Sequence, residues 1–200
     1  ACRTQHGAQA YPGSPWLRAH ALRAGDRISA CELHPEEAHV LRAHFAGDVR
    51  IAVHERDGYA AIKALLPPKH DATKFARGLV LIDPPYEAQL AEFDTALAAL
   101  AEGLARWPQA IYALWYPIKQ GRALQPFRRA AARLPAKSAL RLELLVRPDD
   151  SPLRMNGSGL LVLNAPWQFD AAMRPALDAL RVALGEPGAT ACVDWLRAPA

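Results

Sequence analysis

Cysteine is scarce in this chain: Cys2, Cys31 and Cys192 are odd in number, far apart and form no Cys-x-x-Cys pair. That usage excludes a disulfide-stapled scaffold and a thiolate metal centre, and the three are expected to be reduced thiols. Long apolar runs are missing too, for none approaches the ~20 residues that a membrane helix needs. Residues 1–7 show no signal-peptide pattern, so a cytoplasmic protein with no membrane contact is expected. The seven histidines supply no metal set, because His34, His39 and His44 are five apart and diverge around a helix.

What is present describes an ordinary globular protein. Hydrophobic residues make up 51% and charged residues 22% of 200 residues, which fits one domain, expected to be monomeric, with a sizeable core. Apolar strands are expected at 27–32, 50–54, 78–82, 110–115, 140–146 and 159–163, and amphipathic helices at 35–45, 58–66, 87–106, 121–134 and 171–184. Pro35 followed by Glu36 and Glu37 is a helix start, since proline suits the first position and acids suit the N-terminal dipole. The alternation predicts an α/β domain with a mostly parallel sheet.

The net charge is +4, and its distribution is more informative than its size. Between positions 119 and 141 lie Lys119, Arg122, Arg128, Arg129, Arg133, Lys137 and Arg141, with no acid among them. Arg122, Arg129 and Arg133 recur at helical spacing, which suits either a shared face for phosphates or a solvated helix.

The run Gly78-Leu79-Val80-Leu81-Ile82-Asp83-Pro84-Pro85-Tyr86 reads as a strand covered on both faces and stopped by two prolines. In open α/β sheets ligands bind at the carboxyl ends of strands, and this loop sits at such an end. Its residue types suit an amine whose lone pair is delocalised into a ring. The Asp83 carboxylate and the Pro84 carbonyl can each accept one of the two N–H bonds, which aims the lone pair at a methyl donor. Asp83 can also stabilise the charge developing on nitrogen and accept the surplus proton. Pro85 shapes the loop, and Tyr86 offers an aromatic face for an unstacked base.

Two more acids stand at strand ends. Glu32 closes the strand at 27–32, where a carboxylate can accept from both hydroxyls of a ribose. Asp57-Gly58 follows the next strand, with an acceptor for an adenine amine and a glycine that lets a ring approach the backbone. Each acid alone is equally an N-cap or part of a surface ion pair. Asn164-Ala165-Pro166-Trp167 imitates the Asp83 loop after a late strand and is expected to be a structural turn with Trp167 packed beneath it.

Together with Tyr11-Pro12-Gly13-Ser14-Pro15, Glu32-Leu33-His34-Pro35 and Tyr112-Ala113-Leu114-Trp115-Tyr116-Pro117, these motifs make the chain resemble the bacterial 23S ribosomal RNA adenine-N6 methyltransferase J family from about Tyr11 to Leu196. The resemblance implies a Rossmann-like class I methyltransferase sheet with helices on both faces, S-adenosylmethionine as methyl donor, no metal, and 23S ribosomal RNA as partner. It makes Asp83 catalytic, with Pro84, Pro85 and Tyr86 around it, and gives Ser14, Glu32, Asp57, Gly58 and Asp83 cofactor contacts. Lys119, Arg122, Arg128, Arg129 and Arg133 are the expected RNA contacts. The family's first strand and Gly-rich cofactor loop have no counterpart in the sequence, and Ala165 stands where the family usually has proline. The chain is accordingly expected to be the later portion of the family domain, with two unpaired strand edges where the missing strand belongs. Competing readings are a non-catalytic RNA-binding remnant and an N6-adenine methyltransferase acting on DNA.

Overall fold

A computed structural model describes residues 11–70, 73–86, 90–152 and 155–199 of the chain. The expected first turn of the helix at 87–106, and Cys2, lie outside the described residues. Two compact units divide the chain, Ala1–Ala61 and Ile62–Ala200.

The first unit carries α1 (Ser14–Ala21), β1 (Ile28–Glu32), α2 (Pro35–His44) and β2 (Ile51–Glu55), followed by the start of α3 (Gly58–Leu65). β1 and β2 are parallel, with Ile28 opposite Ile51 and Glu32 opposite Glu55. Parallel neighbours need a crossover, and α2 supplies it. Pro35 opens that helix, Glu36 and Glu37 occupy its first turn, and Ala38 is the buried residue of the helix.

The second unit holds a short antiparallel pair, β3 (Lys69–His70) and β4 (Thr73–Lys74), and a five-stranded sheet. The sheet contains β5 (Leu79–Ile82), β6 (Ile111–Ile118), β7 (Ala139–Leu145), β8 (Gly157–Leu163) and β9 (Thr190–Arg197) in the order β5-β6-β8-β7-β9. Only β5 and β6 run parallel, joined across α4 (Leu90–Arg106); the other three pairings are antiparallel. This corrects the expected mostly parallel sheet. The cause lies between β7 and β8, where no helix occurs among the described residues and the chain returns antiparallel to β7.

Period-two alternation gives the sheet two apolar faces. On one, Tyr112, Leu114, Tyr116 and Ile118 of β6 are buried with Phe93, Leu97, Leu100 and Leu104, which recur at helical spacing along α4. Close approach is built in: a Cβ on Gly103 would lie 2.6 Å from the Tyr112 ring, and one on Gly159 would lie 2.2 Å from the Tyr116 ring. On the other face Leu140, Leu142 and Val162 pack with Leu177 of α6 (Phe169–Leu184), flanked by Met173, Val193 and Trp195.

The helix expected at 121–134 is broken. A 3-10 turn, Gly121–Leu124, precedes α5, Gln125–Ala132, which has proline in its first turn. Pro126 is tolerated at a helix start but not inside one, so the chain restarts there. Arg122 therefore sits on the 3-10 turn, outside the α-helix that carries Arg129, and Arg133 is the C-cap of α5.

Candidate active site

β5 is half-buried rather than covered on both faces, with Leu79 55% exposed. Among the described residues it pairs with β6 alone, and β1 pairs with β2 alone. Ile82 lies in register with Leu114, so the loop after β5 emerges beside Trp115 of β6. Asp83 and Pro85 are exposed, and Pro84 and Tyr86 are buried.

Tyr86 differs from expectation. Its φ is 53°, a conformation that a bulky residue holds only when its surroundings impose it. The surroundings do so here. The hydroxyl donates to the Trp115 carbonyl at 2.8 Å, and the ring packs against Phe93 at 5.2 Å and Trp115 at 5.9 Å between centroids. With the residue only 7% exposed, this ring anchors the loop and is not an open platform for a base. Burial pushes the phenol well above its ordinary pKa, and the charges of Glu92 and Asp83 add to the effect, so it stays neutral.

Beneath the anchor runs an aromatic cluster. Phe93 meets Phe127 of α5 at 4.7 Å, and Phe127 meets Tyr116 at 5.0 Å. The Tyr116 hydroxyl donates to Glu143 Oε1 at 2.8 Å. Arg128 grips the same carboxylate through Nε at 3.0 Å and Nη2 at 2.8 Å to both oxygens, and donates Nη1 to the Gly121 carbonyl at 2.9 Å. The expectation that Arg128 meets phosphate is therefore corrected: its side chain is 10% exposed and committed to a buried ion pair. The sequence contained a signal for this, since Glu143 lies inside an apolar strand and a buried carboxylate requires a partner.

Arg141 is half-buried and paired with Glu143 and Asp194, whereas Lys119, Arg122, Arg129, Arg133 and Lys137 are exposed and have no carboxylate partner among the described residues. The strands divide them. Lys119 and Arg122 follow β6 at the sheet end that carries Asp83, whereas Arg133 precedes β7 at the opposite end. Arg129 lines, with Arg141 and Asp194, a shallow pocket of about 250 Å³.

The look-alike loop lies at that opposite end. β8 runs antiparallel to β6, so Asn164 follows β8 where β6 begins. Its side chain donates to the Pro108 carbonyl at 3.0 Å and the Ala110 carbonyl at 2.7 Å, and accepts from the Lys137 N–H at 2.7 Å. Asn164 is thus a staple, as the structural-turn expectation has it. Trp167, however, is 86% exposed rather than packed beneath, because Ala165 takes the place against the core.

In the first unit, Glu32 and Asp57 are brought together at adjacent strand ends. The Arg56 N–H donates to the Glu32 carbonyl at 2.9 Å, one residue before Asp57. Asp57 caps α3, accepting from the N–H groups of Tyr59 at 3.2 Å and Ala60 at 2.9 Å, one on each oxygen. Glu32 accepts the His34 N–H on Oε1 at 2.9 Å and keeps Oε2 for another donor. A Cβ on Gly58 would meet nothing within 4 Å. An acceptor carboxylate beside open space over a glycine suits a nucleoside's ribose and ring. Ser14 opens α1, is exposed, and has no hydrogen bond to either acid among the described residues.

The strand order, the antiparallel β8 and an Asp-Pro-Pro-Tyr loop at the carboxyl end of β5 are those of a Rossmann-like methyltransferase fold. A family model described as ribosomal RNA large subunit methyltransferase D, RlmJ, matches residues 3–197, and the chain belongs to that family. Proteins named ribosomal RNA large subunit methyltransferase J from Haemophilus influenzae and Escherichia coli are each 36% identical to it over 187 residues, 93% of this chain and 64% and 65% of theirs. A Legionella pneumophila protein of known crystal structure superposes with a TM-score of 0.80 at 28% identity, over 92% of this chain and 66% of that one. The chain thus spans just under two thirds of the length of these relatives.

Proposed function

We propose that the protein transfers a methyl group from S-adenosylmethionine to the N6 amine of an adenine in 23S ribosomal RNA. The observation that carries this reading is the Asp83 loop, with an exposed carboxylate at a strand's carboxyl end on a turn that Tyr86 locks. The donor supplies an electrophilic methyl group on a sulfonium centre. Asp83 and the Pro84 carbonyl accept the two N–H bonds of the amine, fix its lone pair in line with that methyl and offset the charge gained by nitrogen. Asp83 then takes the proton that the methylated amine must lose. Glu32 holds the donor's ribose, and Asp57 and Gly58 bound its adenine, with Ser14 as a further contact. Lys119 and Arg122, at the sheet end of Asp83, meet phosphates of the RNA, with Arg129 on α5 and Arg133 at the far rim as further phosphate contacts.

The family match across residues 3–197 supports assigning both units to one methyltransferase domain. We take the protein to be a cytoplasmic monomer; the free thiols of Cys31 and Cys192 suit a reducing compartment, and the displacement calls on no metal. Among the described residues, no helix is long and apolar enough to cross a membrane. The test is transfer of labelled methyl to unmodified 23S ribosomal RNA, digested to nucleosides. Label is expected in N6-methyladenosine and is expected to vanish in Asp83→Ala with the melting temperature unchanged; a variant that keeps most of its activity refutes the assignment. A second reading is a binding module without donor affinity. A rise in melting temperature with S-adenosylmethionine excludes that reading, since a ligand of the native state alone must stabilise it. Competition by DNA separates the two nucleic acids.

A further inference from the structure

We infer that Trp167 and the cations around it form a second single-stranded RNA contact, at the end of the sheet opposite Asp83. The inference rests on the RNA reading above and adds a site to it. Trp167 is 86% exposed, yet its loop is braced on both sides. Asn164 is held at φ 55° by three side-chain hydrogen bonds, Phe169 N–H donates to the Pro166 carbonyl at 3.1 Å, and Gln168 caps α6 at φ 57°. Ala165 and Phe169 pack against the core, so the indole between them is projected from a fixed base.

Three cations without a carboxylate partner among the described residues lie at this end, Lys137, Arg133 and Arg77, against Asp170 and the Arg106-paired Glu102. The Lys137 N–H bonds Asn164, which puts Lys137 within three residues, or about 10 Å of chain, of Trp167. Arg133 precedes it on the same connection. Arg77 lies just before β5, whose start is tied to that of β6 by the Ile111 N–H to Gly78 carbonyl bond at 2.9 Å. All three are exposed. The acid nearest in sequence to Trp167, Asp170, lies in the first turn of α6, where the helix dipole accounts for it. A braced, exposed ring on a rim that carries such cations is what a single strand needs, a stacking surface for a base and a track for phosphates. An acidic protein segment would match the charge but has no use for the braced indole.

The test is binding of a fluorescein-labelled 20-nucleotide single-stranded RNA of mixed sequence to the full chain, by anisotropy at 50 and 200 mM salt. Trp167→Ala is expected to weaken binding at least about fivefold with the melting temperature unchanged, and Trp167→Phe to restore most of it. Lys137→Ala is expected to lower the log–log salt slope by about 0.7. In methyl transfer, Trp167→Ala is expected to raise KM for RNA and leave kcat alone. If the wild type binds RNA and Trp167→Ala binds it equally well, this inference falls while the RNA reading stands. If the wild type binds no RNA, both fall.

Discussion

Replacing Arg128 with methionine separates a structural cation from a binding one. The change keeps the stem and removes the guanidinium, leaving Glu143 buried with Tyr116 at 2.8 Å and Arg141 at 3.3 Å as its remaining partners. Breaking a buried pair by deleting one member costs about 3–5 kcal/mol. The surviving Arg141 contact puts this case near the lower figure. With a urea m value of about 2 kcal/mol/M, a loss of about 3 kcal/mol moves the unfolding midpoint down by about 1.5 M. The matching variant Glu143→Leu is expected to cost a similar amount, because it strands Arg128. The double variant is expected to cost clearly less than the sum, since apolar side chains of similar size replace a buried pair at little net cost. Arg129→Ala, one residue along, is expected to leave the midpoint in place and weaken RNA binding. An Arg128→Met protein that keeps its midpoint but loses RNA affinity would refute the reasoning and return Arg128 to the phosphate-facing set.

Asn164→Ala removes three hydrogen bonds worth about 1 kcal/mol each and leaves alanine at a left-handed φ that costs ~1 kcal/mol more, so a loss near 4 kcal/mol is expected in urea unfolding. Asn164→Gly relieves the backbone alone and should recover about a quarter of that loss. In alkali, burial pushes Tyr112 up to about 12 and raises Tyr86 and Tyr116 also, so the folded state retains protons that the unfolded state releases from about pH 10. Their stabilisation is complete below pH 10 and declines as pH rises toward the folded values. Tyr112→Phe is expected to make that decline shallower in pH-dependent urea unfolding.

Periodicity and proline placement made most of the fold legible. The strand ending at Ile82, the helix opening at Pro35 and the capping acid Asp57 are local signals, and local signals survive in a sequence. β9 escaped because Asp194 interrupts its apolar pattern. That charge faces solvent on an outer strand of the sheet and pairs with Arg141 of the neighbouring strand at 3.1 Å, a placement set by sheet order that no window of sequence contains. The same limit applied to Arg128, whose partner is fifteen residues away on another element. Nor was the fate of Tyr86 readable, since its ring is claimed by Phe93 and Trp115, which only the folded chain brings near. The residues proposed for the chemistry stand out by type and position, whereas those that brace their loops do not.

The reversed direction of β8 has a consequence for protein engineering. A seven-residue strand separates its two ends by about 23 Å, so loops at one rim of the sheet can be exchanged without disturbing the other. Segments 133–137 and 164–168 form a cassette on the rim away from Asp83. If the second RNA contact holds, that cassette grafted between relatives carries a preference for RNA while the recipient keeps its own reaction, so grip and chemistry are free to diverge independently.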